Sequence, residues 1–207
     1  MLLKDFIPAP DVRDFVQLFR IVHFQFENEQ PLPFKAYPPR QEQCLAFYPF
    51  DTEAVEYPNN GLQVKHLPIV LYGQFSQVNN RTIGRNFLVL QIVFTPGALY
   101  RLTGIPSHEL CNCYVDGEMF FSLQIRFVNE QLAAAPSYVV MLEIGTNFVR
   151  SLMKQQKKNK LLIDDACLQL LHNSGLLTVK DIAREACLST KQLERRFKER
   201  LGVHPKL

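Results

Sequence analysis

The chain has 207 residues, 47% apolar and 21% charged, which suffices for one large domain or two small ones with a sizeable core. Lys4, Asp5 and Pro8 interrupt the opening "MLLKDFIPAP", and the longest strongly apolar run, Phe87 to Phe94, falls far short of the roughly 20 residues of a membrane span, so neither export nor membrane insertion is expected. Five cysteines without a C-x-x-C pair and five scattered histidines, His23, His66, His108, His172 and His204, argue against a disulfide framework or a metal centre; no cofactor is expected, and a reduced cytoplasmic protein is.

Charge and proline divide the chain alike. The net charge of +3 combines −4 over residues 1–149 with +7 over residues 150–207. So basic a final quarter suggests a polyanionic partner, although a solvated basic face would give the same count. Of the 13 prolines, 11 lie at or before Pro106, so long helices are expected in the second half alone.

In chain order, "PDVRDFVQLFRIVHF" spaces Val12, Phe15, Val16 and Phe19 as a short amphipathic helix running into a strand. Next come "CLAFYPF", "LQVKHLPIVLYGQF" and "FLVLQIVFTPGALYRL", which read as strands of an antiparallel sheet or small barrel, separated by Asn-, Gly- and Pro-rich turns. "SHEL", with His108 beside Glu109, reads as a helix start rather than acid–base chemistry, because adjacent residues on a helix do not face each other. "CNC", Cys111 to Cys113, would place both thiols on one face of a strand, with no basic neighbour in the local sequence to activate them. From about Gly117 the period changes to 3.6: Phe121, Leu123, Ile125 and Leu132 lead to a stripe of Val139, Leu142, Phe148, Val149 and Leu152. "KQQKKNK", Lys154 to Lys160, ends it as a basic linker that could also touch phosphate.

Three helices follow. "IDDACLQLLHNSG" places Ile163, Cys167, Leu170 and Leu171 on one face, with Asp164 and Asp165 in the first turn complementing the helix dipole. Thr178 caps a short second helix, with Asp181 three positions on and Val179, Ile182, Ala183 and Ala186 as its apolar positions. Ser189 caps a third, in which Leu193, Phe197 and Leu201 face inward and Gly202 suits the left-handed position after the last turn. The last two helices form a helix-turn-helix. Its outward face carries Thr190, Lys191, Glu194, Arg195 and Lys198. Lys191 and Arg195 could donate to guanine O6 and N7 and Glu194 accept from cytosine N4, while Arg196, Lys198 and Arg200 supply phosphate attraction.

"LTVKDIAREACLSTKQLERRFKERLGVHPK" resembles the first helix-turn-helix of the AraC/XylS transcriptional regulators: Ser189, Leu193, Arg195, Phe197, Lys198, Gly202 and Pro205 fill the family pattern. The resemblance assigns base contacts to Lys191, Glu194 and Arg195. Cys187 departs from it, standing where relatives often carry Gly in the turn, and a positive φ there would be unfavourable for Cys. More weakly, "FIPAPDVRDFVQLFRIVHF", "LPIVLYGQF" and "FTPGALYRLTGIPSHEL" resemble, in order, the effector domain of such regulators, which is similar to cupins.

The resulting expectation is an α+β chain: a cupin-like antiparallel β domain over 1–116 for sensing or dimerisation, a helical connection over 117–159, and an incomplete AraC-type DNA-binding unit over 160–207. Implied partners are the major groove of double-stranded DNA, a small-molecule effector, a second copy of the chain and, by the family resemblance, RNA polymerase. No catalytic residue is assigned. Phe47, Tyr48, Tyr72, Phe75 and Phe94 could line a ligand space, but aromatics at strand spacing read first as core, so no ligand residue is assigned either. The alternative is a truncated sensor or interaction module without productive DNA binding, since the family's reader has two helix-turn-helix motifs and one is written here.

Overall fold

The computed structural model describes residues 1–27, 32, 35–59, 61–121, 124–172 and 178–205. The fold is α+β. Its strands are β1 (Leu2–Phe6), β2 (Val16–Gln25), β3 (Lys35–Tyr37), β4 (Cys44–Phe47), β5 (Glu53–Tyr57), β6 (Leu62–Lys65), β7 (Ile69–Tyr72), β8 (Asn79–Ile83), β9 (Asn86–Phe94) and β10 (Tyr114–Asp116). Helices are α1 (Ala98–Thr103), α2 (Gln124–Ala133), α3 (Tyr138–Lys154), α4 (Leu162–His172), α5 (Val179–Glu185) and α6 (Thr190–Leu201). None is long and apolar enough to cross a membrane.

Two antiparallel sheets are ordered β1-β2-β9-β4-β7-β10 and β3-β8-β5-β6. Side chains alternate across a strand, and β9 shows why its sequence is an almost unbroken apolar run. Leu88, Leu90, Ile92 and Phe94 pack toward the helices, whereas Phe87, Val89 and Val93 pack between the sheets. The larger sheet is therefore covered on both faces. Likewise β4 sends Leu45 and Phe47 to the helical side and Cys44 and Ala46 inward, and β7 divides Ile69 and Leu71 from Val70 and Tyr72. Of the five aromatics considered as ligand-lining, Tyr48, Tyr72 and Phe75 lie between the sheets, while Phe47 and Phe94 face the helices.

Ser137 caps α3, its hydroxyl accepting from the amide of Val140. That helix lies close on the sheet: a Cβ at Gly145 would stand 3.0 Å from Leu90 and 3.2 Å from Phe19.

Five local readings change. "PDVRDFVQLFRIVHF" forms a 3₁₀ turn, Pro10–Val12, and then ten residues of strand, because β2 is paired on both sides and its β-branched and aromatic residues suit a pleated surface better than a helix. "GALYRL" is helix α1, entered through Gly97 at φ 76° and ended by Gly104 at φ 75°, glycines being the residues that reach the left-handed region without strain. "CNC" is a turn rather than a strand: Asn112 adopts φ 57°, and its side chain accepts from the amide of Ser76. Val139 is exposed, whereas Phe148 and Val149 of the expected stripe are buried and Leu142 and Leu152 are partly buried against the same core, joined by Met141, Gly145 and Thr146. "SHEL" is a 3₁₀ turn, Ser107–Leu110. Leu123 and the side chains of Leu170 and Leu171 lie outside the described residues.

Candidate nucleic-acid interface

Both ends of α5 and α6 are fixed by local chemistry. The Thr178 hydroxyl accepts from the Asp181 amide while the Asp181 carboxylate accepts from the Thr178 amide; Ser189 and Gln192 make the same reciprocal pair for α6. Such boxes satisfy amides that would otherwise lack partners at a helix start. Between the helices, Cys187 takes φ 53°, so that its amide reaches Arg184 O at 3.1 Å and the Leu188 amide reaches Ala183 O at 2.8 Å. This is the paired closure of a Schellman turn, and it sets the second helix at an angle to the first. Ile163, Ala166 and Cys167 of α4, Ile182 and Ala183 of α5, and Leu193, Phe197 and Leu201 of α6 close one small core. Gly202 ends α6 at φ 89°.

Because that core claims one face of α6, the opposite face is left to solvent. Thr190, Lys191, Glu194, Arg195 and Lys198 are all exposed, the last four at the i, i+3, i+4, i+7 spacing of a single helix face. None of their side chains has an ion-pair partner among the described residues. Arg196 is half-buried. Arg200 departs from the sequence reading: it is buried and donates to both oxygens of Asp164 at 2.8 and 2.6 Å, so it is not available to phosphate.

Sequence reasoning also missed how α6 is held against the β domain. The Ser107 hydroxyl donates to Arg200 O at 2.6 Å, the Tyr100 hydroxyl donates to Glu199 at 2.8 Å, and the Arg200 guanidinium lies over the Tyr100 ring. Backbones meet closely here, since a Cβ on Gly202 would come within 2.7 Å of Ser107 O. Asp14 binds Arg101 at 2.7 Å and Lys160 at 2.6 Å, and Lys160 also reaches Asp165. Beside these contacts Tyr100, Pro106, His108 and Leu161 face Arg195, Arg196 and Lys198 across a cleft of about 630 Å³. The carboxy-terminal half of α6 thus abuts the β domain, and of its exposed face Arg195 and Lys198 line the cleft while Thr190, Lys191 and Glu194 do not.

A second polar cluster lies between the sheets. Glu53 accepts from Tyr48 at 2.6 Å, from Tyr114 and from Arg81 at 3.0 Å, and Arg81 also donates to Asn79. All five are buried. Burial, reinforced by the Glu53 charge, pushes the Tyr48 and Tyr114 hydroxyls well above their ordinary range, so both remain neutral donors. Nη2 of Arg81 and Nδ2 of Asn79 are buried without a partner among the described protein groups, and the Tyr72 hydroxyl lies against the Cys44 thiol. Among the described residues no histidine joins them, and no three His, Cys, Asp or Glu side chains group in a way that could hold a metal. At the Cys111–Cys113 turn, burial and the neighbouring Cys113 raise the Cys111 thiol, the direction that lowers its reactivity.

No family model matches the chain, and no curated protein matches it. Among solved structures it is similar to a single-substitution variant of apo ToxT from Vibrio cholerae strain SCE256, at 10% identity and TM-score 0.41 over 91% of this chain and 94% of that one. It is similar also to ToxT from Vibrio cholerae O395, at 11% identity and TM-score 0.44 over 92% of this chain and 76% of that one. A third neighbour is the AraC-like transcriptional activator CuxR, at 14% identity and TM-score 0.35 over 95% and 80%. Likeness at this distance does not decide what a chain does, which has to be argued from its residues.

Proposed function

We propose that the chain is a sequence-specific DNA-binding transcription regulator of the AraC type. The observation that carries this reading is the exposed face of α6, where Lys191, Glu194, Arg195 and Lys198 are presented on a helix capped at both ends and packed from behind. Entering the major groove by its amino-terminal turns, α6 brings Lys191 and Arg195 to guanine edges and Glu194 to cytosine, with Thr190 and Lys198 at the flanks. Residues 160–207 act as the first half of the family's reader, residues 117–159 as connection, and residues 1–116 as a cupin-like sensing or dimerisation domain. A small-molecule effector would act through the amino-terminal domain, where Nη2 of Arg81 and Nδ2 of Asn79 are buried donors without a protein partner among the described residues. In a homodimer, effector binding sets the spacing of two recognition helices, which on half-sites one turn apart would lie about 34 Å from centre to centre. By the family resemblance, RNA polymerase is a further partner.

The test is selection of bound duplexes from a random library, followed by titration of the selected sequence with the chain and with Arg195→Ala. The substitution relaxes preference at one base position, at a cost of about 1–3 kcal/mol. Equal weakening on every sequence would remove the base-reading role from Arg195. Binding by the unaltered chain no tighter than roughly 10⁻⁴–10⁻⁶ M, without sequence preference, would overturn the regulator reading in favour of an interaction module.

A further inference from the structure

We propose that the linker lysines Lys157 and Lys158, with Lys154 beside them, form a second DNA contact: a tract on the β-domain side that binds the phosphates flanking the groove entered by α6. This rests on the DNA-binding reading and adds to it a surface outside the helix-turn-helix.

The linker is not a loose tether. The amides of Lys157 and Lys158 both donate to Arg101 O, at 2.9 and 3.0 Å, which fixes the segment to the end of α1. Two residues on, Arg200 of α6 donates to Asn159 O at 3.3 Å, and Lys160 is held by Asp14 and Asp165. Gly104 supports it from below, where a Cβ would stand 3.5 Å from Lys157 Cβ. Leu161, at the far end of the segment, lines the same cleft as Arg195, Arg196 and Lys198. A single rigid junction therefore holds the linker and the carboxy-terminal half of α6 side by side.

Within this junction the structure separates two kinds of cation. Lys160 and Arg200 are spent on carboxylates. Lys154, Lys157 and Lys158 are exposed and have no ion-pair partner among the described residues. The acids that touch the junction are already engaged: Asp14 by Arg101 and Lys160, Asp165 by Lys160, Asp164 by Arg200, and Glu199 by the Tyr100 hydroxyl. The linker thus adds uncompensated positive charge to the junction whose far end, at Leu161, lines the cleft with Arg195, Arg196 and Lys198. Long, hydrated ammonium groups on a fixed backbone suit phosphate oxygens and carry no base preference. Duplex DNA is the occupant that this charge matches, because its phosphates lie on both sides of any groove that α6 could enter.

The experiment compares the chain with Lys157→Gln/Lys158→Gln on its selected duplex across a salt series, then on the same duplex with neutral methylphosphonates in the flanking backbone. Two lost contacts lower the slope of log affinity against log salt by about 2, since each contributes roughly 0.9. Weakening is equal on specific and unrelated sequences, thermal stability is unchanged, and the methylphosphonates that weaken the unaltered chain have no further effect on the variant. An unchanged slope overturns the proposal. So does a lowered slope with the methylphosphonate penalty undiminished in the variant, which means diffuse charge rather than contact. Absence of any sequence-preferring binding by the unaltered chain overturns the DNA reading itself, and this inference with it.

Discussion

Arg200 and Asp164 form an ion pair with both side chains almost wholly withdrawn from water, joining the last turn of α6 to the first turn of α4 at an Nη1–Oδ2 distance of 2.6 Å. The same arginine stacks on Tyr100, and its carbonyl accepts from Ser107. One residue therefore closes the helix-turn-helix core and docks it on the β domain. Arg200→Met leaves the Asp164 carboxylate buried without its cation and costs about 3–5 kcal/mol, whereas Arg200→Met combined with Asp164→Leu regains much of that loss because no charge is then stranded. Denaturant titration of the two single variants and the double variant reads the coupling. A loss below about 1 kcal/mol in Arg200→Met would show that water reaches Asp164 in the folded chain.

Much of this site was legible from local pattern. Ser189 and Gly202 marked both ends of α6 because capping is decided within four residues. Phe87 to Phe94 read as a buried strand because its run is apolar on both faces. Arg200 was misread as a solvent cation, although it lies three positions after Phe197 and seven after Leu193 and so shares their inward face. What the pattern lacked was Asp164, 36 residues away, without which a buried cation makes no sense. Val12, Phe15, Val16 and Phe19 misled for another reason: a 3₁₀ turn leading into a strand can present the same spacing as a short helix. The β-domain contacts of Tyr100 and Ser107 depend on tertiary approach and leave no local mark.

Asp14 gives the junction a pH limit. Burial alone would raise its carboxyl, but hydrogen bonds from Lys160 and Arg101 outweigh that and hold it below its ordinary 3.8. A carboxylate with a depressed folded-state pKa contributes stability that is fully present above the unfolded value and is lost as pH falls through the folded one. The contact between linker and β domain should therefore be unaffected at neutral pH and weaken only below about pH 4. Limited proteolysis of the linker followed from pH 7 to pH 3 should show cleavage rising at the acid end, and Asp14→Asn should raise the neutral level and flatten the profile. A profile for Asp14→Asn that coincides with that of the unaltered chain would assign the acid response to other carboxylates.

Cys187 carries strain that the turn requires and the side chain does not. At φ 53° a β-carbon crowds its own backbone, a cost of roughly 1–2 kcal/mol that glycine avoids. Glycine gives back part of that gain through its freer unfolded chain, on the order of 0.5–1 kcal/mol. Since the Cys187 thiol is exposed and bonded to nothing among the described groups, no packing is lost on its removal. Cys187→Gly should then stabilise the helix-turn-helix by about 0.5–1 kcal/mol, and Cys187→Ala, which keeps the β-carbon, should not. Denaturation midpoints of the three chains decide it, with reductant present so that exposed thiols do not cross-link. Equal midpoints for the glycine and alanine variants would mean that the turn relaxes around a β-carbon at no cost, and the departure from glycine at this position would then be neutral for the angle at which α6 is presented.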